Sequence, residues 1–247
     1  MRILITNDDS IEAPGLRALV DCALGFGEVT VVAPSVPQSG KSSAITVDQA
    51  LRIRESEDYG SVKMYSVNGT PVDCVKLSLN VLFEEKPDLL LSGINHGSNA
   101  GNSIIYSGTM GAVLEGCMSG IQSVGFSLLD HSLSADFSLS QQFVCDIIDR
   151  VIRNPLPDYT ALNVNIPSKV VPKGAKVCRA ARGYWTDEYQ KYDAPYGKPF
   201  YMLSGRFVNV EPSATDTDEY WLSQGYISIV PATPDMTAHA AVSFLGR

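Results

Sequence analysis

Short apolar runs alternate with amphipathic segments of helical period along the first two-thirds of the chain, and this alternation restricts the fold more than any other feature. Residues 3–6 form an apolar run that ends in polar residues, and residues 14–24 then place Leu16, Leu19 and Val20 on one helical face. Repetition of this unit is typical of βαβ connections. The sequence therefore predicts an α/β protein built on a mostly parallel sheet flanked by helices.

The remaining elements of this region follow from the same rules. Apolar runs predict strands at 29–33, 62–67, 89–91, 124–128 and 162–166. Apolar residues at helical spacing predict helices at 71–82, 110–117 and 139–152. Thr70 can cap the first of these helices, with Pro71 at its first position. The segment 93–111 is dense in Gly, Asn and Ser and is predicted to be a long loop of functional importance.

Beyond Pro167 the pattern changes to aromatic-rich extended pieces separated by turn residues, which favour hairpins over helices. We therefore divide the chain into a core at 1–167 and a β-arm with the C-terminal segment at 168–247, both part of one functional unit. Exposed aromatic arms often make contacts between subunits, and packing of the arm on its own domain is the alternative.

Composition limits the classes of partner. The formal net charge of −8 argues against a basic face for duplex nucleic acid, and an acidic protein that binds phosphate needs a local cation such as a metal ion. The five cysteines form no C-x-x-C pair, so they are predicted to be reduced thiols. The N-terminus resembles a strand rather than a signal peptide or a membrane span. We expect a cytoplasmic protein that does not bind membranes.

Several oxygen-bearing side chains follow directly after predicted strands. Asp8 and Asp9 follow the first strand, Ser39 lies in the loop after the second, and Asn95 follows the strand at 89–91. Ligands of open α/β sheets bind at the carboxyl ends of the strands, and these hard oxygen ligands suit Mg²⁺, Mn²⁺ or Ca²⁺. On the residues alone, the acids could equally be solvated turn residues or helix caps.

A candidate anion site lies at the start of the helix near residue 110. Ser107, Gly108 and Thr109 would present hydroxyls, backbone N–H groups and the positive end of the helix dipole to one ligand. Phosphate fits such a place. The alternative is that Ser107 or Thr109 only caps the helix.

Other chemistries are poorly supported. Residues 39–42 resemble the end of a P-loop, but Ser35 stands where a glycine is needed and an extended segment follows. A G-x-S-x-G elbow is missing from the sequence, and the contiguous acids differ from the D-x-D of aspartyl-phosphate phosphatases. His96 could contact substrate or shuttle protons, whereas His239 is predicted to pair with Asp235.

Several short motifs together carry a family resemblance. They are Ile5-Thr6-Asn7-Asp8-Asp9, Ala13-Pro14-Gly15, Gln38-Ser39-Gly40, Gly69-Thr70-Pro71 with Asp73-Cys74-Val75, Ser92-Gly93-Ile94-Asn95, and Tyr106-Ser107-Gly108-Thr109. With these motifs the chain resembles the SurE survival-protein family of metal-dependent 5'/3'-nucleotidases over essentially its full length. The sequence departs from the family pattern at Ser10, where a glycine is common, and at Tyr196, where an arginine is frequent.

The resemblance implies a Rossmann-like core and a Mg²⁺- or Mn²⁺-dependent phosphomonoesterase that acts on nucleoside monophosphates. It also implies a homodimer or homotetramer assembled through C-terminal arms. One metal ion per subunit would be held by Asp8, Asp9, Ser39 and Asn95. Ser107, Gly108 and Thr109, together with Asn95, would line the phosphate position.

Catalysis would fall to Asp8, Asp9 and Asn95. Which aspartate acts as base, and whether one attacks phosphorus, stays open, as does the choice between 5' and 3' esters. A non-catalytic nucleotide-binding module and a phosphatase of the phosphoaspartate type are the rival hypotheses.

Overall fold

The computed structural model describes residues 1–132 and 134–246. Its strands are β1 Arg2–Thr6, β2 Glu28–Pro34, β3 Ile53–Glu55, β4 Lys63–Val67, β5 Leu89–His96, β6 Gln122–Leu128, β7 Ala161–Ile166, β8 Ala175–Val177, β9 Gly183–Thr186, β10 Tyr189–Tyr192, β11 Phe200–Leu203, β12 Arg206–Asn209 and β13 Ile227–Ala232. Its α-helices are α1 Pro14–Ala23, α2 Pro71–Leu77, α3 Gly108–Met118, α4 Gln141–Arg153, α5 Asp218–Ser223 and α6 His239–Leu245.

The centre of the molecule is a nine-stranded sheet in the order β3-β4-β2-β1-β5-β6-β7-β13-β8. The strands from β4 to β7 all run parallel to their neighbours, whereas β3 and β13 pair antiparallel with β4 and β7. This arrangement confirms the prediction of a mostly parallel, Rossmann-like sheet flanked by helices.

Both faces of the sheet are covered because alternate strand residues point to opposite sides. On one side Ile3 and Ile5 belong to a cluster with apolar residues of α1 and α4. On the other side Leu4 and Leu90 belong to a cluster with apolar residues of α2 and α3. Full burial of each such side chain stabilises the fold by about 1.5–3 kcal/mol, so the two clusters fix the sheet between its helices.

The prediction of a long loop at 93–111 is wrong. Strand β5 continues to His96, since Ser92 and Asn95 are paired with Gly125 and Ser127 of β6, and residues 101–106 form a 3-10 helix. A polar sequence can extend a strand wherever a neighbouring strand completes its hydrogen bonds. The helix predicted at 71–82 ends at Leu77 and passes into a π-helical turn over 78–82.

The segment after residue 167 contains the expected extended pieces. Strands β9 and β12 form one antiparallel pair. Strands β10 and β11, which come between β9 and β12 in the sequence, form a second antiparallel pair. Strands β8 and β13 also join the central sheet, and α5 and α6 are helices where only hairpins were expected. The sheet therefore continues into the segment after 167, and the division of the chain at 167 stays a prediction.

Within 1–132 and 134–246, every helix is too short or too polar to cross a bilayer.

Asp218 joins three separate parts of the molecule. Its side chain is fully buried, and its carboxylate accepts hydrogen bonds from the backbone N–H groups of Gly101 at 2.7 Å, Ala181 at 2.8 Å and Glu219 at 2.8 Å. Gly101 begins the 3-10 helix that leads to α3, Ala181 lies at the base of the arm, and Glu219 is in α5. One side chain thus satisfies three backbone donors, two of them buried, and connects residue 181 of the segment after 167 to the 3-10 helix of the core.

We predict that Asp218→Ala lowers the free energy of unfolding by about 3 kcal/mol, because it leaves buried N–H groups without an acceptor. Urea denaturation of both proteins measures the difference. Asp158→Ala, at an exposed carboxylate, is the matched control and should change stability by less than about 0.5 kcal/mol. Equal stabilities of Asp218→Ala and the control would contradict the role assigned to Asp218.

Candidate active site

Asp8 and Asp9 lie in a tight turn at the carboxyl end of β1, and we call residues 7–10 the acid turn. The Asn7 amide donates to the carbonyl oxygen of Ser10 at 2.8 Å and closes this turn. Ser10 has a φ of +93°, a conformation that favours glycine and costs a side-chain-bearing residue about 1–3 kcal/mol. The glycine expected from the family pattern would adopt this φ without that cost. The hydrogen bond from Asn7 closes the turn even though a serine occupies this position.

Asp8 is pressed against the N-terminus of α3. Its carboxylate is 4% exposed and accepts a hydrogen bond of 2.5 Å from the Thr109 hydroxyl. A Cβ added to Gly108 would lie 2.8 Å from the Cβ of Asp8 and 2.9 Å from its Oδ2. Only glycine therefore leaves room for this carboxylate.

Burial raises the pKa of Asp8 to about 6, against the opposing effect of the Thr109 hydrogen bond, and the neighbouring Asp9 charge adds to the rise. The Asp9 carboxylate accepts a hydrogen bond of 3.0 Å from the His96 backbone N–H. Burial also raises the pKa of Asp9, although that hydrogen bond and the nearby His96 and His131 rings oppose the rise. Both acids thus occupy a site that disfavours their charge.

Asn95 and the loop with Ser39 approach the same edge of the sheet. The Asn95 side-chain amide donates to the Gly97 carbonyl at 2.9 Å, which leaves its own carbonyl oxygen available as a ligand. Ser39 is exposed, and its neighbour Gln38 donates its backbone N–H to the Asp8 carbonyl oxygen at 2.7 Å. The loop after β2 is therefore attached directly to the acid turn.

The capping interpretation of Ser107 is confirmed. Its side chain accepts a hydrogen bond of 3.1 Å from the Met110 N–H, so Ser107 is the N-cap of α3. Gly108 and Thr109 form the first turn, where backbone N–H groups and the helix dipole favour negative charge. The same turn thus contacts Asp8 and offers an anion site next to it.

The site residues fit a hard divalent cation. Along 1–132 and 134–246, neither Asp8 nor Asp9 makes a salt bridge, and the buried Oδ1 of Asn7 has no hydrogen-bond partner. Two carboxylates that form no salt bridge in this part of the chain, with hydroxyl and amide oxygens nearby, match the ligand preference of Mg²⁺ or Mn²⁺. The same residues hold no cluster of three or more His, Cys, Asp and Glu, so further ligands would have to be hydroxyl or amide oxygens.

The histidines lie differently from what the sequence suggests. The His96 ring contacts the Ser132 carbonyl oxygen through Nδ1 at 2.9 Å and packs edge-on against Phe137, while the His96 backbone N–H donates to Asp9. The His131 ring covers Gly97 and lies near Asp9. The sequence could not predict this position, because His131 lies in a loop without a repeating pattern. His239 accepts or donates a hydrogen bond of 2.6 Å with Asp235, which confirms that pair.

The chain is similar to a large group of known proteins. A family model described as Survival protein SurE matches residues 3–187. A protein of Flavobacterium johnsoniae named 5'-nucleotidase SurE is 49% identical to this chain, over 96% of this chain and 92% of that protein. A protein of the same name from Flavobacterium psychrophilum is 46% identical, over 99% of this chain and 96% of that protein. The crystal structure of the SurE protein from Aquifex aeolicus superposes with a TM-score of 0.83 at 36% identity and covers 100% of both chains.

We predict that Asp8→Asn stabilises the metal-free protein. With a folded-state pKa of about 6 against the ordinary 3.8, the folded protein binds a proton more tightly than the unfolded chain, so Asp8 destabilises the fold increasingly as pH rises. Removing its charge should add about 3 kcal/mol at pH 7 and about 1 kcal/mol at pH 4.5. Urea denaturation in EDTA at both pH values measures the gain.

The exposed Asp48→Asn is the control for this charge change. It should leave stability within about 0.5 kcal/mol at both pH values. A gain for Asp8→Asn that is equal at pH 4.5 and pH 7 would contradict the assignment of the raised pKa to Asp8.

Proposed function

The chain belongs to the survival protein SurE family, and we propose on this basis that it is a divalent-metal-dependent 5'-nucleotidase. It hydrolyses nucleoside 5'-monophosphates to nucleoside and phosphate. The observation that carries this proposal is the acid pair Asp8-Asp9, in which the buried Asp8 lies against the first turn of α3 and Asp9 against the end of β5. An acidic pair beside a helix N-terminus can serve a metal ion and a phosphate together.

Asp8, Asp9, Ser39 and Asn95 are the residues that would hold one Mg²⁺ or Mn²⁺ ion per subunit. When bound, the ion supplies Lewis-acid charge that neutralises the phosphoryl oxygens. The support from this chain is the oxygen-only donor set and the raised pKa of Asp8, which binding of a cation would offset.

The first turn of α3 binds the phosphate. The N–H group of Gly108 donates toward an anion at the helix N-terminus, the Thr109 N–H lies against the Asp8 carboxylate, and Asn95 approaches from the end of β5. These donors are fixed before substrate arrives, since Ser107 caps the helix and Thr109 donates to Asp8. Donors fixed in advance stabilise the charge that develops in the transition state.

One aspartate of the pair takes the proton of the attacking water as the water oxygen bonds to phosphorus. The bond from phosphorus to the nucleoside oxygen breaks, and that oxygen leaves as a hydroxyl after taking a proton from solvent. Asp8, which contacts the first turn of α3 where the phosphate binds, is the first candidate for this base. Asp9 is the alternative base, and direct attack by either carboxylate is the phosphoaspartate alternative. The latter would leave an acyl phosphate that can be trapped.

We predict that the wild-type protein hydrolyses nucleoside 5'-monophosphates with Mn²⁺ or Mg²⁺ and loses the activity in EDTA. Asp8→Asn and Asp9→Asn should each lower kcat about 100-fold or more, because each removes a charge from the site while retaining its shape. Phosphate release from a panel of nucleotides and simple phosphate esters measures this. Circular dichroism confirms that the variants fold.

Asp48→Asn is the matched control and should retain the wild-type rate. Nucleotide binding with no hydrolysis under any metal would instead support a non-catalytic binding module. Near-normal turnover by either acid variant would contradict the assignment of Asp8 and Asp9 to the active site. A trapped acyl phosphate on Asp8 or Asp9 would show that the carboxylate attacks phosphorus, and the phosphoaspartate route would then replace direct attack by water.

We further propose that the arm is an interface with a second copy of the chain, in a homodimer or homotetramer. All residues of β10 and β11 are exposed, among them Tyr189, Tyr201 and Leu203 at 69%, 61% and 72%. A two-stranded hairpin with apolar side chains in water is marginal by itself, so a covering surface would stabilise it. The residues after 167 thus remain part of one functional unit with the core. A cytoplasmic location stays a prediction from the sequence.

We predict that Tyr201→Glu combined with Leu203→Glu reduces the oligomer to a smaller species, because alternate residues of β11 put both charges on one face. Sedimentation velocity measures the mass. Lys198→Glu, in the exposed turn between the two strands, is the control and should leave the mass unchanged. An unchanged mass for the double variant would contradict an interface at this hairpin.

A further inference from the structure

The segment between β2 and β3 carries Ser39 but builds little structure of its own. We call residues 35–50 the Ser39 loop. It is mostly exposed, with Ile45 at 50% and Val47 at 82%, and it contains no helix or strand. Burial of its own side chains therefore cannot fix it, and ordering each residue costs about 1–2 kcal/mol of backbone entropy. Its position must come from specific hydrogen bonds to neighbouring elements.

Two of these attachments bracket Ser39. On one side Gln38 donates its N–H to the Asp8 carbonyl oxygen at 2.7 Å. On the other side the Ser42 hydroxyl donates to the Ile105 carbonyl oxygen at 2.7 Å, and the Ser42 N–H donates to the Tyr106 carbonyl oxygen at 3.2 Å. The loop thus crosses from the acid turn to the segment that leads into α3.

The third attachment is to the N-terminus of α2. The Thr46 hydroxyl donates to Oδ2 of Asp73 at 2.6 Å, and the Thr46 N–H donates to Oδ1 of Asp73 at 3.0 Å. The Thr70 hydroxyl donates to the Ala44 carbonyl oxygen at 2.7 Å. Asp73 is 3% exposed, so both of its oxygens are used in a site from which water is largely excluded.

Asp73 and Thr70 also form the capping box of α2. Thr70 donates its N–H to Asp73 at 2.9 Å, and Asp73 donates its N–H to the Thr70 hydroxyl at 3.1 Å. A capping box requires only one carboxylate oxygen, and here that oxygen is Oδ2. The bond from the Thr46 N–H to Oδ1 is therefore additional to helix capping and serves the loop.

We infer that Asp73 and Thr46 are positioning residues of the metal site, because their paired hydrogen bonds hold the Ser39 loop in the place where Ser39 can act as a ligand. This inference rests on the proposed function, which assigns Ser39 to the metal. Asp73, which follows the Gly69-Thr70-Pro71 motif, would then hold the Ser39 loop in addition to capping α2. Groups that orient a ligand typically change metal affinity when they are removed.

The test is Thr46→Val, which replaces the hydroxyl by a methyl group of similar size and leaves the capping box intact. We expect the dissociation constant for Mn²⁺ to rise about tenfold, as is usual when a group supporting a metal ligand is lost. Binding is measured by titration of Mn²⁺ alone, without nucleotide. Amide hydrogen exchange at residues 38–46 should become faster in the same variant.

Thr46→Ser retains the hydroxyl and should restore Mn²⁺ affinity to within about twofold of wild type, since serine can donate the same hydrogen bond. Ser78→Ala is the matched control for helix stability. It removes the hydrogen bond from the Ser78 hydroxyl to the Cys74 carbonyl oxygen at the other end of α2. It should leave both Mn²⁺ affinity and loop exchange as in wild type.

Wild-type Mn²⁺ affinity in Thr46→Val would overturn the inference and leave the proposed function intact. The same holds if Ser78→Ala weakens Mn²⁺ binding as much as Thr46→Val does, because the effect would then come from the helix. Failure of the wild-type protein to bind Mn²⁺ would overturn the proposed metal site and this inference with it.

Discussion

The close packing of the Asp8 carboxylate against the first turn of α3 is the contact on which the site depends. It requires glycine at 108, whose missing side chain leaves the space that Asp8 fills, and it uses the Thr109 hydroxyl as donor. Within 1–132 and 134–246 no basic side chain forms a salt bridge with this carboxylate, so its burial raises its pKa. A group buried in this way destabilises the metal-free protein, and a bound cation would reverse that effect.

The order of the sheet explains why this contact forms at the end of β1. In the sheet, β2 and then β4 lie on one side of β1, and β5, β6 and β7 lie in that order on its other side. Connections from adjacent strands then leave in opposite directions, which opens a crevice at their carboxyl ends. The turn after β1 and the end of β5 border this crevice, which brings Asp8, Asp9 and Asn95 to one place.

Much of this arrangement could be predicted from local sequence. Strands such as Leu89–Leu91 are apolar on both faces because helices cover both sides, and Thr70 and Ser107 carry recognisable capping signals. Contacts between distant segments could not be predicted, because period and composition contain no information about them. Ser42 meets Ile105 across 63 residues, and Asp218 meets Gly101 across 117. The extension of β5 was missed for the same reason, since its partner in β6 decides it.

The acid turn concentrates unfavourable features in four consecutive residues. Asn7 has a buried oxygen with no hydrogen-bond partner among the described residues, Asp8 is a buried carboxylate, Asp9 has a raised pKa, and Ser10 adopts a backbone conformation suited to glycine. The unpartnered oxygen and the Ser10 backbone each cost on the order of 1–3 kcal/mol, burial of the two carboxylates adds to that cost, and the two-sided apolar core must offset the sum. A turn of this kind persists because the fold holds it in place, which is the pattern expected of a functional site rather than of a solvated loop.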